Sequence, residues 1–350
     1  MKDAYAAAGV DIEAGNEAVT RYRQVLSQRK DARVLEGVGA FGGCFEFQGF
    51  ANPVLVASTD GVGTKVLVAA SLGRYDTIGR DLVNHCINDI LCAGAQPLFF
   101  LDYLAVPKLD PEVATAVVAG IAAGCSEYGL VLLGGETAEM PGVYADGAFD
   151  LAGTIVGAVE RAKMIDTADV AAGDAIVGLP ANGFHTNGYS LVRATLSRQR
   201  WTEPVADSGV TVGEALLAVH PCYLPYVRAL QQAGVRVKSM AHITGGGLMH
   251  NLPRALSDGL AARIARASMR VPPIMSLVVR EARLSDESAY ATFNMGIGFC
   301  VIVAQADARR AVDAANAALA TKPIPLAAGL AAVIGEVEPS HPCGPRVIIG

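Results

Sequence analysis

At 350 residues the chain is longer than one hydrophobic core comfortably supports, so two domains of ordinary size are expected. Hydrophobic residues make up 52%, glycine fills 38 positions and there is one Trp, which is the composition of an α/β protein. A formal charge of -6 excludes the clustered basic surface that nucleic acid needs, and seven cysteines without paired spacing exclude a disulfide framework or a zinc pattern.

The N-terminal stretch carries Asp3, Asp11 and Glu13 and holds no apolar core of signal-peptide length. The Ala-rich stretch Ala114 to Cys125 is too short and weakly apolar to span a bilayer. A cytoplasmic protein with reduced thiols and no membrane partner is therefore expected.

In chain order, Val54 to Thr59 is apolar and β-branched and ends abruptly at Asp60, with Gly61, Gly63, Thr64 and Lys65 close behind. That order predicts strand, functional loop, helix. Residues 78–93 have the helical period, with Leu82, Val83, Cys86, Ile87, Ile90 and Leu91 apolar, and Gln96-Pro97 closes the run. A strand over 98–106, a helix over 111–127 and strands over 130–134 and 151–159 follow. The small, polar segment from Ile165 to Gly173 reads as a linker. The second half restarts with a strand over 175–180, a loop over 181–190 and a helix over 190–200. A strand over 237–243, the TGGG turn and a helix through Leu256 repeat the arrangement. A helix over 311–320 and a strand over 333–339 end the chain.

The most informative motif is LGGETAEMPG, Leu133 to Gly142. An apolar run ends in Gly134 and Gly135 and delivers Glu136, Thr137 and Glu139 to one point. Paired glycines let backbone N–H groups approach an anion, and clustered carboxylates suit a hard cation riding on it. The polar side of the 78–93 helix is equally unusual, since Asp81, Asn84 or His85, Asn88 and Asp89 recur at spacings of three and four. Short polar side chains are poor helix formers, so five of them on one face point to ligands. The GVGAFG run from Gly37 to Gly42 matches a dinucleotide fingerprint only literally, because no buried strand precedes it and no helix follows. TDGVGTK lacks the ending of a phosphate-binding P-loop, yet Lys65 can neutralise phosphate.

In the second half His185 and Asn187 flank Gly188, and Ser190 takes the position of a helix N-cap whose amides suit an anion. His242 stands in the same relation to Thr244, Gly245, Gly246 and Gly247. No nucleophile elbow and no Cys-His arrangement is present. The two regions imply two ligands, a metal-nucleotide and an anionic substrate.

The sequence resembles the aminoimidazole ribonucleotide synthetase family, the phosphoribosylformylglycinamidine cyclo-ligases. The resemblance runs through YAAAGVDIEAGN, GVGAFGG, STDGVGTK, NDILCAGAQPLFFLDY, GGETAEMPGVY, GFHTNGYSLVR, HITGGG with NLPR, and TFNMGIG, in family order. Asp89 to Pro97 also carries the D-x4-G-A-x-P signature of the wider ATP-using superfamily. The resemblance implies an ATP-binding and dimerisation domain over 1–165, whose mixed sheet pairs into a barrel across a homodimer, and an α/β substrate-binding domain over 166–350. It implies the fifth step of purine synthesis, in which ATP phosphorylates the formyl amide oxygen of formylglycinamidine ribonucleotide before an internal nitrogen closes the ring and phosphate leaves.

Carried over by position, Asp60, Asp89 and Glu136 hold Mg²⁺ and ATP, joined by Asn88, Gly61, Gly63, Thr64, Gly134, Gly135 and Thr137. Lys65 and the loop of Gly39, Gly42 and Gly43 meet phosphates. His185, Asn187, Ser190, His242, Thr244 and Gly245 to Gly247 hold or activate the ribonucleotide, with Glu139 at the nucleotide or the substrate. Either His185 or His242 moves the proton, with Asp89 and Lys65 also in catalytic positions. The chain departs from the family pattern at Ala291, where Arg is usual, and at His250, where Glu is usual. The alternatives are a sibling ATP-dependent enzyme, such as selenophosphate synthetase, thiamine-phosphate kinase or the hydrogenase-maturation dehydratase, and a silent nucleotide-binding paralogue. The first Cys, Cys44, lies in a glycine loop and the chain ends in VIIG, which disfavours the first and last of the siblings.

Overall fold

The computed structural model describes residues 11–27, 31–145 and 147–350. Asp3 and the Tyr5 to Val10 part of the first motif lie outside them. The chain forms two compact units, one comprising the described residues up to Ile90 with Ala95–Ala162, the other Leu91–Gly94 with Lys163–Gly350. Among the described residues no helix is long and apolar enough to cross a membrane.

The first unit holds α1 (Ile12–Ser27), a small hairpin of β1 (Val34–Glu36) and β2 (Cys44–Phe45), β3 (Pro53–Gly61), α2 (Lys65–Leu72), α3 (Ile78–Leu91), β4 (Gln96–Val106), α4 (Pro111–Tyr128), β5 (Val131–Glu139) and β6 (Asp150–Glu160). Its main sheet has the order β3-β6-β4-β5, antiparallel except for the β4–β5 pair. The start of α4 follows from sequence: Asp110 accepts from the Glu112 and Val113 N–H groups, and Pro111 opens the first turn. Helix α3 lies directly on β6, where a Cβ at Gly153 would come within 3.0 Å of Leu82 Cδ2 and one at Gly157 within 2.6 Å of Ile90 Cδ1.

Two expectations are corrected in this unit. The helix predicted to reach residue 93 stops at Leu91, because the chain turns through Gly94 at a φ of +77°. The strand predicted to end at 134 continues to Glu139, so the glycine motif is ladder and not loop. Asp102 opposes Gly135 and Tyr103 opposes Glu136 in the parallel register. Gly135 is required there because a Cβ would lie 2.0 Å from Asp102 Oδ1.

The second unit holds β7 (Ala175–Pro180), α5 (Tyr189–Thr195), α6 (Val212–Leu216), α7 (Leu224–Gln232), β8 (Val237–His242), α8 (Gly247–Asn251), β9 (Leu260–Ile264), α9 (Pro273–Glu281), α10 (Asp286–Thr292), β10 (Ile297–Val303), α11 (Ala308–Thr321), β11 (Ala332–Pro339) and β12 (Val347–Ile349). The sheet order is β12-β9-β11-β7-β10-β8, antiparallel except for β12 with β9. Strands β7 and β10 are buried at every position, as expected of central strands covered on both faces.

Here too the predicted helices are shorter. The one expected over 190–200 ends at Thr195 and resumes as a 3-10 turn over Arg198–Thr202, which buries Trp201. The one expected through Leu256 ends at Asn251 and passes into a 3-10 turn that carries Pro253. TFNMGIG turns at Met295 and Gly296, both at positive φ, and becomes strand only at Ile297.

Helices α3 and α4 touch backbone to backbone. A Cβ at Gly79 would lie 2.3 Å from the Val117 carbonyl oxygen, and one at Gly120 would lie 2.7 Å from that of Asp76. Gly79→Ala must force the helices apart, and we expect it to lower unfolding free energy by about 1–3 kcal/mol. A fall in the urea midpoint at unchanged slope checks this, and an unchanged midpoint contradicts it.

Candidate active site

The end of β3 and the polar face of α3 form the first cluster. Lys65 is 0% exposed, and its Nζ pairs with the Asp81 carboxylate at 2.9 Å. Burial pulls the Lys65 ammonium below its ordinary range and the Asp81 charge holds it up in part. The expected contact of Lys65 with phosphate is thus corrected in this structure, where the ammonium is enclosed with its partner. One turn on, His85 Nε2 lies 2.8 Å from Asp60 and 3.8 Å from Asp89, and Ser58 donates to Asp89 at 3.0 Å. Burial disfavours the His85 imidazolium, but the Asp60 hydrogen bond and the charges of Asp89, Asp60 and Asp81 outweigh it and raise the pKa. Burial likewise disfavours the Asp60 carboxylate, and the same hydrogen bond reverses the sign and lowers its pKa. Asn88 is buried on the same helix, and Gly63 turns the chain at positive φ into Thr64 and α2.

The carboxylates of Asp60 and Asp89 beside His85, with the Ser58 hydroxyl on Asp89, are oxygen donors that suit a hard cation such as Mg²⁺. Glu136 does not join them. Asp60 pairs with Gly153, Gly153 with Asp102, and Asp102 with Gly135, so three strand spacings separate Asp60 from the Glu136 end of the row, roughly 14 Å at about 4.8 Å each. The expected trio of Asp60, Asp89 and Glu136 therefore cannot meet one ion within a single chain.

Glu136 belongs instead to a cavity of ≈ 600 Å³. Apolar residues of α1 line one wall, and Gly39, Ala40, Phe41 and Gly134 to Thr137 also line the cavity. Tyr22 Oη and Thr137 Oγ1 lie 3.3 Å apart at this wall. Asp102 also lines the cavity, and burial, with the Glu136 charge adding, pushes its carboxyl up to about 7. Glu139, expected at a ligand, accepts the backbone N–H of Leu109 at 2.8 Å and of Asp11 at 2.6 Å, so it fixes the surrounding chain. In the glycine loop a Cβ at Gly39 would lie 2.4 Å from the Arg23 guanidinium and one at Gly43 2.5 Å from Leu133 Cγ, whereas Gly42 meets nothing within 4 Å.

The second unit builds a cluster of imidazoles. His185 is buried and held at a φ of +60°, a conformation that costs a non-glycine residue roughly 1–3 kcal/mol and persists only where packing dictates it. Its ring stacks on His220 with centroids 4.2 Å apart, and His220 Nε2 lies 3.1 Å from His242 Nε2. Tyr223 donates to the Pro180 carbonyl and packs so closely that a Cβ at Gly298 would lie 1.9 Å from its hydroxyl and 2.5 Å from His185 Cε1.

Two asparagines knit the flanking loops. Asn251 Nδ2 donates to the carbonyls of Thr244, Gly245 and Gly247, and Asn294 Nδ2 donates to that of Gly183. A Cβ at Gly245 would lie 3.3 Å from Asn187 Oδ1, so the two loops lie side by side. The N-cap expectation for Ser190 is corrected: Gly188, at a φ of +75°, starts the helix, and Ser190 lies exposed one residue inside it. Gly246 packs under His250, and Ala291 lies within α10.

Sequence reasoning missed His220, Asp102 and Asn251. An acid inside the apolar run LFFLDYLAV was a usable signal for Asp102. His220 had none, since only the fold brings it to His185 and His242.

The AIR synthase related protein N-terminal domain matches residues 44–159 and the C-terminal domain matches residues 171–347. The chain is 48% identical over 305 residues to the phosphoribosylformylglycinamidine cyclo-ligase of Desulfitobacterium hafniense (strain Y51), covering 87% of this chain and 90% of that relative. It is 46% identical over 343 residues to the protein of that name from Xanthomonas oryzae pv. oryzae (strain PXO99A), covering 96% and 97%. Among solved structures, the E. coli hydrogenase maturation protein HypE shares the fold with a TM-score of 0.65 at 17% identity, covering 94% of this chain and 91% of that one. Thiamine-monophosphate kinase from Stenotrophomonas maltophilia K279a does so with a TM-score of 0.61 at 18% identity, covering 95% of each. Motifs, domain matches and near-full-length identity agree, and the chain belongs to the phosphoribosylformylglycinamidine cyclo-ligase family.

Proposed function

We propose that the protein converts formylglycinamidine ribonucleotide to 5-aminoimidazole ribonucleotide, with ATP becoming ADP and phosphate, in the cytoplasm. The observation that carries this reading is the presence of two polar sets, one on each unit, that match the two halves of the chemistry. Carboxylates gather on the first unit and imidazoles on the second. An amide oxygen is a poor leaving group, and phosphorylation turns it into phosphate. Mg²⁺ bound with ATP supplies charge neutralisation for that transfer. Asp60 and Asp89 would hold it, with Ser58 and His85 orienting the two carboxylates. The cavity between α1 and β5 would take the nucleotide, with Gly39 and Gly134 to Thr137 at its backbone-rich side. His242 or His185 would take the proton from the attacking nitrogen, which requires a base within hydrogen-bond reach. Solved relatives of this fold include a hydrogenase maturation protein HypE in complex with ATP, which suits the nucleotide assignment.

A homodimer fits the same reading. Among the described residues one face of the first unit's sheet is uncovered: Leu55 is 64% exposed, Leu101 36% and Tyr103 37%. The register puts Leu101 beside Thr154 and Thr59, and Tyr103 beside Ala152 and Gly61, all on that face. A second copy laid on it would close the two sheets into a barrel, and the carboxylates that one chain keeps apart would then have a partner set.

Incubation with ATP, Mg²⁺ and formylglycinamidine ribonucleotide should yield aminoimidazole product and ADP one for one. ADP without product, or neither, would refute the cyclo-ligase reading. Asp89→Ala should abolish turnover and leave the oligomeric state intact; normal activity in that variant would remove Asp89 from the metal-nucleotide site. Leu55→Glu should shift sedimentation from dimer to monomer, and a dimer that persists would place the contact elsewhere.

A further inference from the structure

His220 is announced by no motif and has no part in the reaction as described so far. It is 0% exposed and follows α6 in the second unit. Its ring stacks on His185 at an interplanar angle of 25°, its Nε2 meets His242 Nε2 at 3.1 Å, and its Nδ1 lies 3.4 Å from Thr186 Oγ1. A nitrogen-to-nitrogen contact of that length holds one proton. Two N–H groups would point at each other, and two lone pairs would repel. Neutral His242 therefore cannot take a tautomer independently of His220.

We infer that His220 is a positioning residue that accepts the Nε2 proton of His242 and so keeps the lone pair of His242 on Nδ1, the nitrogen turned away from His220. The use of that lone pair rests on the cyclo-ligase reading. As the ring closes, the attacking nitrogen gives its electron pair to the new C–N bond and its proton to His242 Nδ1. The C–O pair departs with phosphate. The imidazolium so formed keeps its Nε2–H donated to His220, and His220 keeps its own proton on Nδ1 against the Thr186 hydroxyl oxygen. The rings of His185 and His242 pack against His220, and Tyr223 packs against His185. Burial keeps the Tyr223 phenol neutral by pushing it well above its ordinary range. A second positive charge on the stacked His185 and His220 rings would be repelled by the His242 imidazolium.

Long-range ¹⁵N–¹H spectra of the imidazole rings test this on the intact protein, whose six histidines can each be assigned by substitution. His242 is expected to carry its proton on Nε2. His220→Phe keeps a ring against His185 but has no lone pair. It should leave His242 a mixture of tautomers and lower kcat by roughly tenfold to a hundredfold, below the full contribution of a general base, with KM within about twofold. His220→Gln, whose Oε1 can accept, should restore a single tautomer and most of kcat. Protonation of wild-type His242 on Nδ1, or an unchanged tautomer and kcat in His220→Phe, overturns the inference. Should His220→Phe not fold, the wild-type spectrum and the Gln variant decide. Wild-type protein that forms no aminoimidazole would defeat the cyclo-ligase reading, while the ring spectra would still settle the role of His220.

Discussion

The buried ion pair of Lys65 with Asp81 is the constraint on which the first unit is arranged. Each charge is costly to remove from water, and the pair holds because each member compensates the other. Loss of one partner would leave an isolated buried charge, at a cost of about 3–5 kcal/mol. The pair ties the β3–α2 corner to the first turn of α3. With that turn fixed, helical geometry brings His85 to Asp60, and Asp89 to Ser58, on the same face. The glycines beneath α3 at Gly153 and Gly157, and those between α3 and α4, leave the helix no room to shift.

The second unit solves a related problem with amides. A loop of glycines can be shaped to a ligand only if something else removes its freedom. Asn251 does this for Thr244 to Gly247, its Nδ2 within hydrogen-bond distance of three of their carbonyls, and Asn294 does it for the loop before His185. The strained backbone of His185 is held by the stacking of His220 and the absence of a side chain at Gly298.

What the sequence made legible were features whose cause is local. The helix starting at residue 111, the period of α3 and the strand 175–180 are read from neighbouring residues, and the structure has them. What it hid depends on distant partners. The GGE run reads as a loop because two glycines usually break a strand, and only the Asp102 side chain across the ladder explains Gly135 as a strand residue. Lys65 beside glycines reads as a phosphate ligand until Asp81 is found against it. Ser190 reads as a cap because the left-handed turn at Gly188 has no signature beyond the glycine itself. The family resemblance names Asp60 and Asp89, but the separation of Glu136 follows from strand order, which no motif encodes.

The central place of β7 sets an order of assembly. Its two neighbours, β10 and β11, lie more than a hundred residues further along the chain. Pairings so distant in sequence form slowly. On a ribosome, the segment carrying His185 would emerge well before either strand that flanks β7 has been synthesised. The imidazole cluster, which needs His242 on β8 and Gly298 on β10, would be among the last features to form. A chain cut short before Ile297 would carry every carboxylate of the first unit and no assembled histidine site.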